Sequence, residues 1–339
     1  MSVLYGGIDL HSNNSVVLVK EATGQVLYRK RLRNDLAVIE QSLNPFRDRL
    51  ETVVVESTFN WYWLVDGLEE AGYRVQLANT SACQQYSGLK HTDDESDADW
   101  LAEMARLKIL PTGYIYPKAD RGIRDLLRKR GQLVRQRSAQ ILSVQNILRR
   151  SEAETLKGDR IKALTNEEIE VVASDPDVRL AVEVSVAVIR CLEEQIVRVE
   201  KRVLEQVKLR EEFKVLKSIP GVGDILALTI MLEVGTISRF PSVGNFASYC
   251  RCVSSNKLSN FKKKGEGNRK NGNRYLAWAF IEAANFAIRY SVPIQRFHQR
   301  KKNRTKGVVA KKAVAHKLAR AAFHMLRNNQ KFEVSKAFS

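Results

Sequence analysis

The first part of the chain contains a series of short strand-like runs, and this series restricts the fold more than any other feature. Residues 3–9, 15–20 and 25–31 are rich in β-branched and other apolar side chains, as strands usually are. Two turn-forming pairs separate the runs, Asn13-Asn14 and Thr23-Gly24. Because such short loops join antiparallel neighbours, we expect the fold to begin with a three-stranded meander.

Helices and strands alternate after this meander. The spacing of apolar residues predicts helices over residues 36–43, 61–71 and 97–107, and strands over residues 52–56 and 73–78. The run of three valines at residues 53–55 is typical of a buried parallel strand. An antiparallel meander followed by this alternation predicts an α/β domain with a ribonuclease-H-like sheet.

From residue 120 onward the pattern becomes helical. Apolar residues recur at heptad-like spacing in two long stretches, at Leu127, Val134, Ile141 and Leu148, and at Ile189, Leu192, Ile196, Val199, Val203 and Val207. This spacing predicts two long helices that pack as a coiled coil, either as a hairpin within one chain or as a seam between subunits. The turn between them is expected within residues 151–177. Further helices are predicted over residues 275–289 and 311–327, with a break at Pro293.

Basic residues are concentrated toward the C-terminal end. Residues 1–110 carry 11 Lys and Arg against 16 Asp and Glu, and residues 111–213 carry 20 against 17. Residues 214–339 carry 25 against 5. This polarity favours binding of a polyanion, above all nucleic acid, by the C-terminal part. An anionic membrane surface is the weaker alternative, because no basic amphipathic helix stands apart from the globular segments.

The cellular compartment is indicated by two features. No run approaches 18 uncharged apolar residues, so we expect no transmembrane helix and no membrane partner. The cysteines are few for the length of the chain, at Cys83, Cys191, Cys250 and Cys252. We therefore expect reduced thiols in a cytoplasmic, nucleoid-associated protein.

Four carboxylates fall where predicted strands end or a predicted helix begins. Asp9 closes the first strand and Glu56 closes the valine-rich strand, while Asp94 and Asp97 are three apart at a helix start and share one helix face. Carboxylates that converge repel one another unless a cation lies between them, and hard oxygen ligands suit Mg²⁺. We therefore predict an Mg²⁺ site, for which Mn²⁺ can substitute, at these four acids.

The residues around these acids leave other assignments open. Asp93 and Asp99 lie in the same acidic run, and the spacing does not decide between them and the chosen pair. His11 and His91 are candidate outer groups, with plain solvent exposure as the alternative. The simplest structural alternative for the acids themselves is that they cap helices and turns.

Two stretches of the basic part suit contacts with a phosphate backbone. The sequence Pro220-Gly221-Val222-Gly223 lies between apolar helical segments and resembles a helix-hairpin-helix turn, whose glycines let backbone N–H groups approach a phosphate. A plain helix connector is the alternative. Residues 254–265 form a predicted polar loop of serines and lysines. A serine there acts as a nucleophile only when a base or metal takes its proton, so hydrogen bonding to phosphate is its simpler role.

Several blocks in a fixed order carry a resemblance to a known family. They are Gly7-Ile8-Asp9, Val55-Glu56-Ser57, the run from Asp94 to Glu103, the run from Ser218 to Gly223, and the run from Gly272 to Leu276. Together they resemble the DEDD insertion-sequence transposases of the IS-one-ten family, which are relatives of the Piv DNA invertase. The resemblance extends from about residue 3 to residue 330.

This resemblance implies a division of the chain and a set of roles. It implies a RuvC-like catalytic domain over residues 1–115, coiled-coil oligomerisation helices over 116–213, and a basic transposase domain with a helix-hairpin-helix and a catalytic serine over 214–339. Asp9, Glu56, Asp94 and Asp97 would be the Mg²⁺ ligands. Ser259 would be the nucleophile that becomes linked to DNA, with Ser254 and Ser255 as alternatives and Asp93 as the alternative to Asp94.

The expected partners follow from the same resemblance. They are donor and target DNA, a structured guide RNA (the bridge RNA) that pairs with both, and further copies of the chain as a dimer or a tetramer on DNA. The residues expected to contact nucleic acid are Gly221, Gly223, Lys257, Lys262, Lys263, Lys264, Arg269, Lys270 and Arg274. Two other functions stay open, a RuvC-like nuclease or resolvase without a covalent intermediate and a non-catalytic nucleic-acid-binding scaffold.

Overall fold

The structure is a computed structural model that describes residues 2–89, 94–151, 155–253, 256–259, 262–266 and 271–338. Within these ranges the side chains of residues 87–89, 94–96, 256–259, 263 and 266 are not described. The chain divides into two compact units, Met1–Lys118 (unit 1) and Ala119–Ser339 (unit 2). None of the described helices is both long enough and apolar enough to cross a lipid bilayer.

Unit 1 is an α/β unit whose elements follow the predicted order. Its strands are β1 (Leu4–Leu10), β2 (Asn14–Glu21), β3 (Val26–Arg33), β4 (Leu50–Glu56) and β5 (Val75–Ala78). Its helices are α1 (Leu36–Leu43), α2 (Tyr62–Glu70), α3 (Thr80–Cys83) and α4 (Asp94–Arg106), with 3₁₀ turns at Asn44–Arg49 and Gln84–Leu89. The predicted α/β class, with its antiparallel meander and later parallel strands, is confirmed.

The sheet has the strand order β3-β2-β1-β4-β5. Strands β1, β2 and β3 are antiparallel neighbours, whereas β4 runs parallel to both β1 and β5. The β1–β4 register pairs Gly7 with Val54 and Ile8 with Val55. Since side chains alternate along a strand, the odd-numbered residues of β1 and the even-numbered residues of β4 share one face of the sheet.

The two faces of the sheet bury different partners. One face carries Ile8, Val53 and Val55, which pack in a core with Ile39 of α1 and Leu64 of α2. The other face, which includes the glycine and the aspartate of β1, lies under α4. There Ala98 and Ala102 of α4 pack against Val16 and Leu18 of β2. The small residues of α4 therefore let the helix approach the sheet closely.

The closest approach is at Gly7 in the middle of β1. A Cβ atom added to Gly7 would lie less than 3.0 Å from the carbonyl oxygen of Ala98 and 3.0 Å from the backbone nitrogen of Ala102. Both of these atoms are backbone, so no side-chain rotation can relieve the contact. Gly7 is thus the residue that allows α4 to rest on β1.

Ion pairs and hydrogen bonds near its C-terminal end fix the direction of α4. Lys20 of β2, which pairs with a residue near the start of β1, lies 3.1 Å from Glu103 Oε2. Arg106 donates a hydrogen bond of 3.0 Å to the carbonyl oxygen of Ala22, in the turn after β2. The last turn of α4 therefore lies beside the start of β1, and its first turn lies toward the end of β1.

Unit 2 is mostly helical, as expected. Its helices are α5 (Lys118–Ser151), which begins at the last residue of unit 1, α6 (Gly158–Lys162), α7 (Asn166–Val172), α8 (Pro176–Val207), α9 (Glu211–Lys217), α10 (Asp224–Val234), α11 (Val243–Tyr249), α12 (Arg274–Tyr290), α13 (Val292–Lys302), α14 (Gly307–Asn328) and α15 (Val334–Phe338). A 3₁₀ turn covers Ile237–Arg239, and two strands, β6 (Asn256–Ser259) and β7 (Lys262–Glu266), form an antiparallel hairpin.

Helices α5 and α8 form the predicted hairpin within the chain. Leu127 near the start of α5 packs in one core with Val203 and Val207 near the end of α8. Leu148 near the end of α5 packs with Val182 and other residues of α8. Ion pairs between Arg130 and Glu200 and between Arg137 and Glu193 link the two helices between these points. The helices are therefore antiparallel, and the alternative of a seam between subunits stays a prediction.

The rest of unit 2 packs around α10, which is buried on every side from Leu226 to Val234. Pro293 lies in the first turn of α13 rather than in an unstructured break, because proline is well accommodated where the N–H has no helical partner. All four cysteines are free thiols. Burial raises the pKa of the Cys252 thiol to about 12, so it behaves as a core residue.

Replacing Gly7 should test the contact between α4 and β1. We expect Gly7→Ala to destabilise unit 1 by about 2–3 kcal/mol, because the added methyl group must displace helix backbone. Gly6→Ala is the matched control, since its Cβ would lie 3.3 Å from the Val53 side chain and 3.5 Å from Val53 Cα, both near ordinary contact distance. Urea unfolding followed by circular dichroism measures both. Equal losses in the two variants would contradict this account of the contact.

Candidate active site at the ends of strands β1 and β4

Asp9 occupies the position in unit 1 that is best suited to a cation. It is the second-to-last residue of β1 and only 2% exposed. Its Oδ2 atom is buried and accepts no hydrogen bond from the described residues. His11 Nε2 lies 3.1 Å from that oxygen, but not in hydrogen-bonding geometry. A buried carboxylate oxygen without a donor is costly unless a positive charge lies near it.

Glu56 ends the neighbouring strand beside Asp9. The β1–β4 register pairs Ile8 with Val55, so Asp9 and Glu56 are the next residues along two adjacent strands, which lie about 4.8 Å apart. Both acids belong to the sheet face under α4. Glu56 is half-buried. Burial raises the pKa of the Cys83 thiol, and the negative charge of Glu56 raises it further, which places a thiol of α3 near this carboxylate.

The first turn of α4 carries the other predicted acids. Because α4 runs antiparallel to β1, its first turn lies toward the strand ends that carry Asp9 and Glu56. Asp97 is half-buried there. Asp94 is the first residue of α4, and its side chain lies outside the described residues. Asp93 and His91 also lie outside them, so the alternative register at Asp93 stays open.

Asp99 has a structural role that the sequence did not reveal. Its Oδ1 atom lies 2.5 Å from Nζ of Lys20, which is 6% exposed. A buried ammonium group requires a carboxylate partner, and Asp99 and Glu103 supply it. This ion pair joins α4 to β2 and gives Asp99 a structural role. Asp97 lies one half-turn closer to the strand ends.

The loops that follow β1 and β4 are joined at one backbone carbonyl. The carbonyl oxygen of His11 accepts a hydrogen bond of 2.9 Å from Asn34 Nδ2 and one of 3.1 Å from Asn60 Nδ2. The fully buried Ser15 donates to Asn34 Oδ1 at 2.6 Å. These side chains hold the backbone beyond both strand ends. Sequence reasoning missed them, because asparagine and serine near strand ends read as ordinary turn residues.

The acids fit a divalent ion by the chemistry of their donor atoms. Among the side chains that the structure describes, no three of His, Cys, Asp or Glu are spaced to hold a metal ion, and the side chain of Asp94 is not among them. The buried Asp9 oxygen without a donor, the adjacent Glu56 and the half-buried Asp97 still provide hard oxygen atoms at one edge of the sheet. The structure thus brings Asp9, Glu56 and the start of α4 to this edge.

The predicted serine loop is a β-hairpin, which corrects the expectation of an irregular loop over residues 254–265. Ser259 is the last residue of β6 and pairs with Lys262 of β7. Lys262 and Lys264 are exposed. The side chains of Ser259, Lys257 and Lys263 are not described, and Ser254, Ser255, Arg269 and Lys270 lie outside the described residues. Backbone hydrogen bonds between β6 and β7 form this pair of strands. Amino-acid composition alone does not indicate such pairing.

The two glycines of the predicted phosphate-binding turn have different surroundings. Gly221 has a φ of +80°, and an added Cβ would lie 2.5 Å from Cβ of Phe286 on α12. Gly223 is the N-cap of α10 and faces open space. Asp224 follows it and pairs with Lys217 at 2.5 Å. The close packing against α12 explains why position 221 requires a glycine. Contact of either glycine with a phosphate stays a prediction. Arg274 is exposed at the first position of α12.

The ion pairs of α4 predict an acid-sensitive fold for unit 1. Hydrogen bonds from Arg106, and then from Lys20, lower the pKa of Glu103 from 4.5 to about 2, although burial opposes this. Because the pKa is lower in the folded state, the stabilisation is complete above about pH 4.5 and is lost as the pH falls toward 2.

We therefore expect Glu103→Gln to cost about 1–3 kcal/mol near neutral pH, with the difference from wild type shrinking below about pH 4.5. Urea unfolding at a series of pH values measures this difference. Glu51→Gln, which removes an exposed pair with Arg74, serves as control and should change stability little at any pH. A Glu103→Gln cost independent of pH would contradict the assignment.

Comparisons with known proteins show which family the chain resembles. Residues 6–151 match a DEDD transposase model of the IS110 type, described as "Transposase". Residues 213–299 match the model described as "Transposase IS116/IS110/IS902 family". A "Transposase for insertion sequence element IS1111A" from Coxiella burnetii (strain RSA 493 / Nine Mile phase I) is 23% identical over 294 residues, which cover 84% of this chain and 78% of the relative.

The first matched segment covers most of unit 1 and continues into α5 of unit 2, and the second lies entirely within unit 2. The first contains the acids at the strand ends, and the second contains the glycine turn and the serine hairpin. A DEDD transposase implies a divalent metal ion, and transposases bind DNA. The chain is therefore a DNA-transposing enzyme, a transposase of the IS110 (IS-one-ten) family.

Proposed function

We propose that this transposase cuts and rejoins DNA with a divalent ion at Asp9, Glu56, Asp94 and Asp97 and with Ser259 as the nucleophile, guided by a structured RNA. The observation that carries the metal assignment is the buried Asp9 oxygen, which accepts no hydrogen bond from the described residues and lies near Glu56 at the edge where α4 begins. The family match over residues 6–151, which contains all four acids, supports it.

Each acid has a distinct part in the proposed site. When bound, Mg²⁺, or Mn²⁺ in its place, neutralises charge on the phosphodiester that reacts. Asp9 is held rigidly by β1 and supplies a buried oxygen, whereas Glu56 and Asp97 are half-buried and can reach toward solvent and DNA. Asp94 would complete the set from the helix start. The asparagines that hold the His11 carbonyl would keep the two strand ends at a constant spacing.

Ser259 is proposed as the group that exchanges strands. Its Oγ would attack the phosphorus atom, forming a serine–phosphate ester as the bond from phosphorus to a deoxyribose oxygen breaks. The serine proton passes to a base or water, and the released deoxyribose oxygen takes up a proton. The ester keeps the energy of the broken bond for rejoining. Two facts support this role: the residue lies within the family match over residues 213–299, and its hairpin carries exposed lysines.

The proposed function also includes selection of the DNA by a guide RNA and association of several subunits. RNA pairing would choose the donor and target DNA, while the basic segment of residues 214–339 binds backbone phosphates. Residues 1–115 would supply the RuvC-like metal site, residues 116–213 the coiled-coil association of subunits, and residues 214–339 the serine and a helix-hairpin-helix grip on DNA. We propose that the active form is a homodimer or a tetramer on DNA, in which acids and serine meet in a composite site.

Substituting Asp9 tests the metal site without any need for activity. Without a divalent ion, Asp9→Asn should be as stable as wild type, or more stable by about 1 kcal/mol, because it removes a buried charge that faces other carboxylates. With Mg²⁺ at about a hundredfold excess over its dissociation constant, wild type should gain about 2.7 kcal/mol and the variant should gain nothing.

Thermal unfolding with Mg²⁺ or Mn²⁺ measures both effects. The exposed Asp48 provides the control, because Asp48→Asn should keep the full response to the ion. A complete Mg²⁺ response in Asp9→Asn would place the metal elsewhere.

Substituting Ser259 tests the nucleophile. The measurement is a covalent protein–DNA adduct, formed on DNA that carries the ends of the element together with the adjacent transcript and mapped by mass spectrometry. We expect Ser259→Ala to abolish the adduct and strand exchange, a loss of at least about a thousandfold, since the attacking atom is gone.

Ser254→Ala and Ser255→Ala are the matched controls and should retain the adduct. Loss of the adduct in one of these two, and not in Ser259→Ala, would move the nucleophile to that serine. Continued cleavage by Ser259→Ala without any adduct would favour a nuclease that uses water.

A further inference from the structure

A cavity of about 440 Å³ lies in unit 2 between α5, α10 and α12. Part of its wall is apolar, from Leu127, Val134 and Ile225. Most of the rest is aromatic, from Tyr275 and Trp278, or charged, from four arginines and Glu233. It contains neither the acids of unit 1 nor the serine hairpin, so the proposed chemistry does not account for it. Its size falls in the range of ligand sites.

Two aromatic residues of α12 form one side of the cavity. Tyr275 and Trp278 are three residues apart and therefore lie on one face of the helix. The opposite face is buried in the core through residues such as Leu276 and Phe280. Trp278 is 45% exposed, which is unusual for the largest apolar side chain. An exposed indole beside a cavity provides a flat surface on which a planar group can stack.

The positive charge of the cavity is held in place by a buried acid. Glu233 is 3% exposed and accepts two hydrogen bonds from Arg128, at 2.6 and 2.8 Å, and one from Asn273 Nδ2, at 2.7 Å. Burial opposes the charge of Arg128, but the hydrogen bonds that Arg128 donates to Glu233 outweigh it and raise the pKa of Arg128 above the ordinary value. Arg128 is thereby a fixed cation, with its guanidinium 4.7 Å from the centroid of the Tyr275 ring.

The remaining arginines make the lining attractive to an anion. Arg274 lies 4.9 Å from the same ring centroid and donates to the Tyr275 hydroxyl at 3.0 Å. Arg130 pairs with Glu200 at 2.7 Å, and Arg135 lies one helical turn beyond Gly131 on the cavity wall. Glu233 and Glu200 balance the charges of Arg128 and Arg130, so Arg135 and Arg274 are the lining cations that would bind an anion. Guanidinium groups beside an aromatic surface suit a phosphate joined to a planar base.

We propose that this cavity binds one unpaired nucleotide of a single-stranded nucleic acid. The base stacks on Trp278 against the apolar wall, and Arg135 and Arg274 bind the adjoining phosphate. A base within a duplex is covered on both faces by its neighbours, so only an unpaired or flipped base can enter. DNA and RNA share this chemistry, and the experiment separates them. The assignment needs neither the divalent ion nor Ser259.

Gly131 offers a way to fill the cavity without disturbing the helix. It lies within α5 on the cavity wall, where an added Cβ would meet only the end of Arg135, at 3.6 Å. A leucine there extends into the cavity and raises the helix propensity of α5. Gly122 is the matched control, since it lies in the same helix, is exposed, and has no atom within 4 Å of an added Cβ.

The measurement is photocrosslinking of the full chain, in EDTA, to single strands of about 20 nucleotides that contain 5-iodouracil, one of DNA and one of RNA. We expect a crosslink on Trp278 or Tyr275, mapped by mass spectrometry. The strand that forms the crosslink, DNA, RNA or both, identifies the nucleic acid that the cavity binds. Gly131→Leu should reduce this crosslink by about tenfold and Gly122→Leu should leave it unchanged.

A second pair of variants covers the case in which Gly131→Leu fails to fold. Trp278→Phe keeps an aromatic surface and should retain single-strand affinity, whereas Trp278→Ala should weaken it by about tenfold. The proposal is overturned if neither strand crosslinks to the cavity, if Gly131→Leu crosslinks like wild type, or if Trp278→Ala binds as well as Trp278→Phe. Because the assay is run in EDTA, failure of the metal site would leave its result unchanged.

Discussion

The close contact between α4 and β1 is the interaction on which the candidate active site depends. Gly7 has no side chain, so the backbone of α4 rests directly on the strand two residues before Asp9. The buried Lys20 then holds the helix in register through Asp99 and Glu103. The start of α4 is thereby carried to the ends of β1 and β4. Any larger residue at position 7 would move the helix, and with it Asp97, away from the sheet.

Unit 2 uses a buried charge in a comparable way. Glu233 lies on the buried part of α10 and is tolerable only because Arg128 and Asn273 satisfy it. The result is a fixed guanidinium beside Tyr275 at a cavity. In both units a buried ion pair joins elements that are far apart in sequence, and in both it positions groups suited to nucleic acid. The acids of unit 1 suit the metal that DNA chemistry needs, and the arginines of unit 2 suit a nucleotide.

Much of the fold was predictable from local pattern. The strands, the helix over residues 36–43 and the two long helices follow from apolar periodicity, which records which side of an element is buried. The pairing of β6 with β7 was not predictable in this way, because the residues of these strands are mostly polar and their structure comes from backbone pairing. The roles of Lys20, Asn34, Asn60 and Glu233 were also missed. Each depends on a partner distant in sequence, and a single residue carries no sign of that partner.

The sequence alone determined the α/β class, the two long helices, the polarity of charge and the order of motifs that marks an IS110-family transposase. These properties follow from local periodicity, composition and spacing, which each segment carries by itself. Only the tertiary structure decided that Asp9 is buried with an oxygen that accepts no hydrogen bond from the described residues, that Asp99 pairs with Lys20, and that Gly221 packs against Phe286. These outcomes depend on register and on the approach of distant backbones, and such geometry exists only when the whole unit has packed.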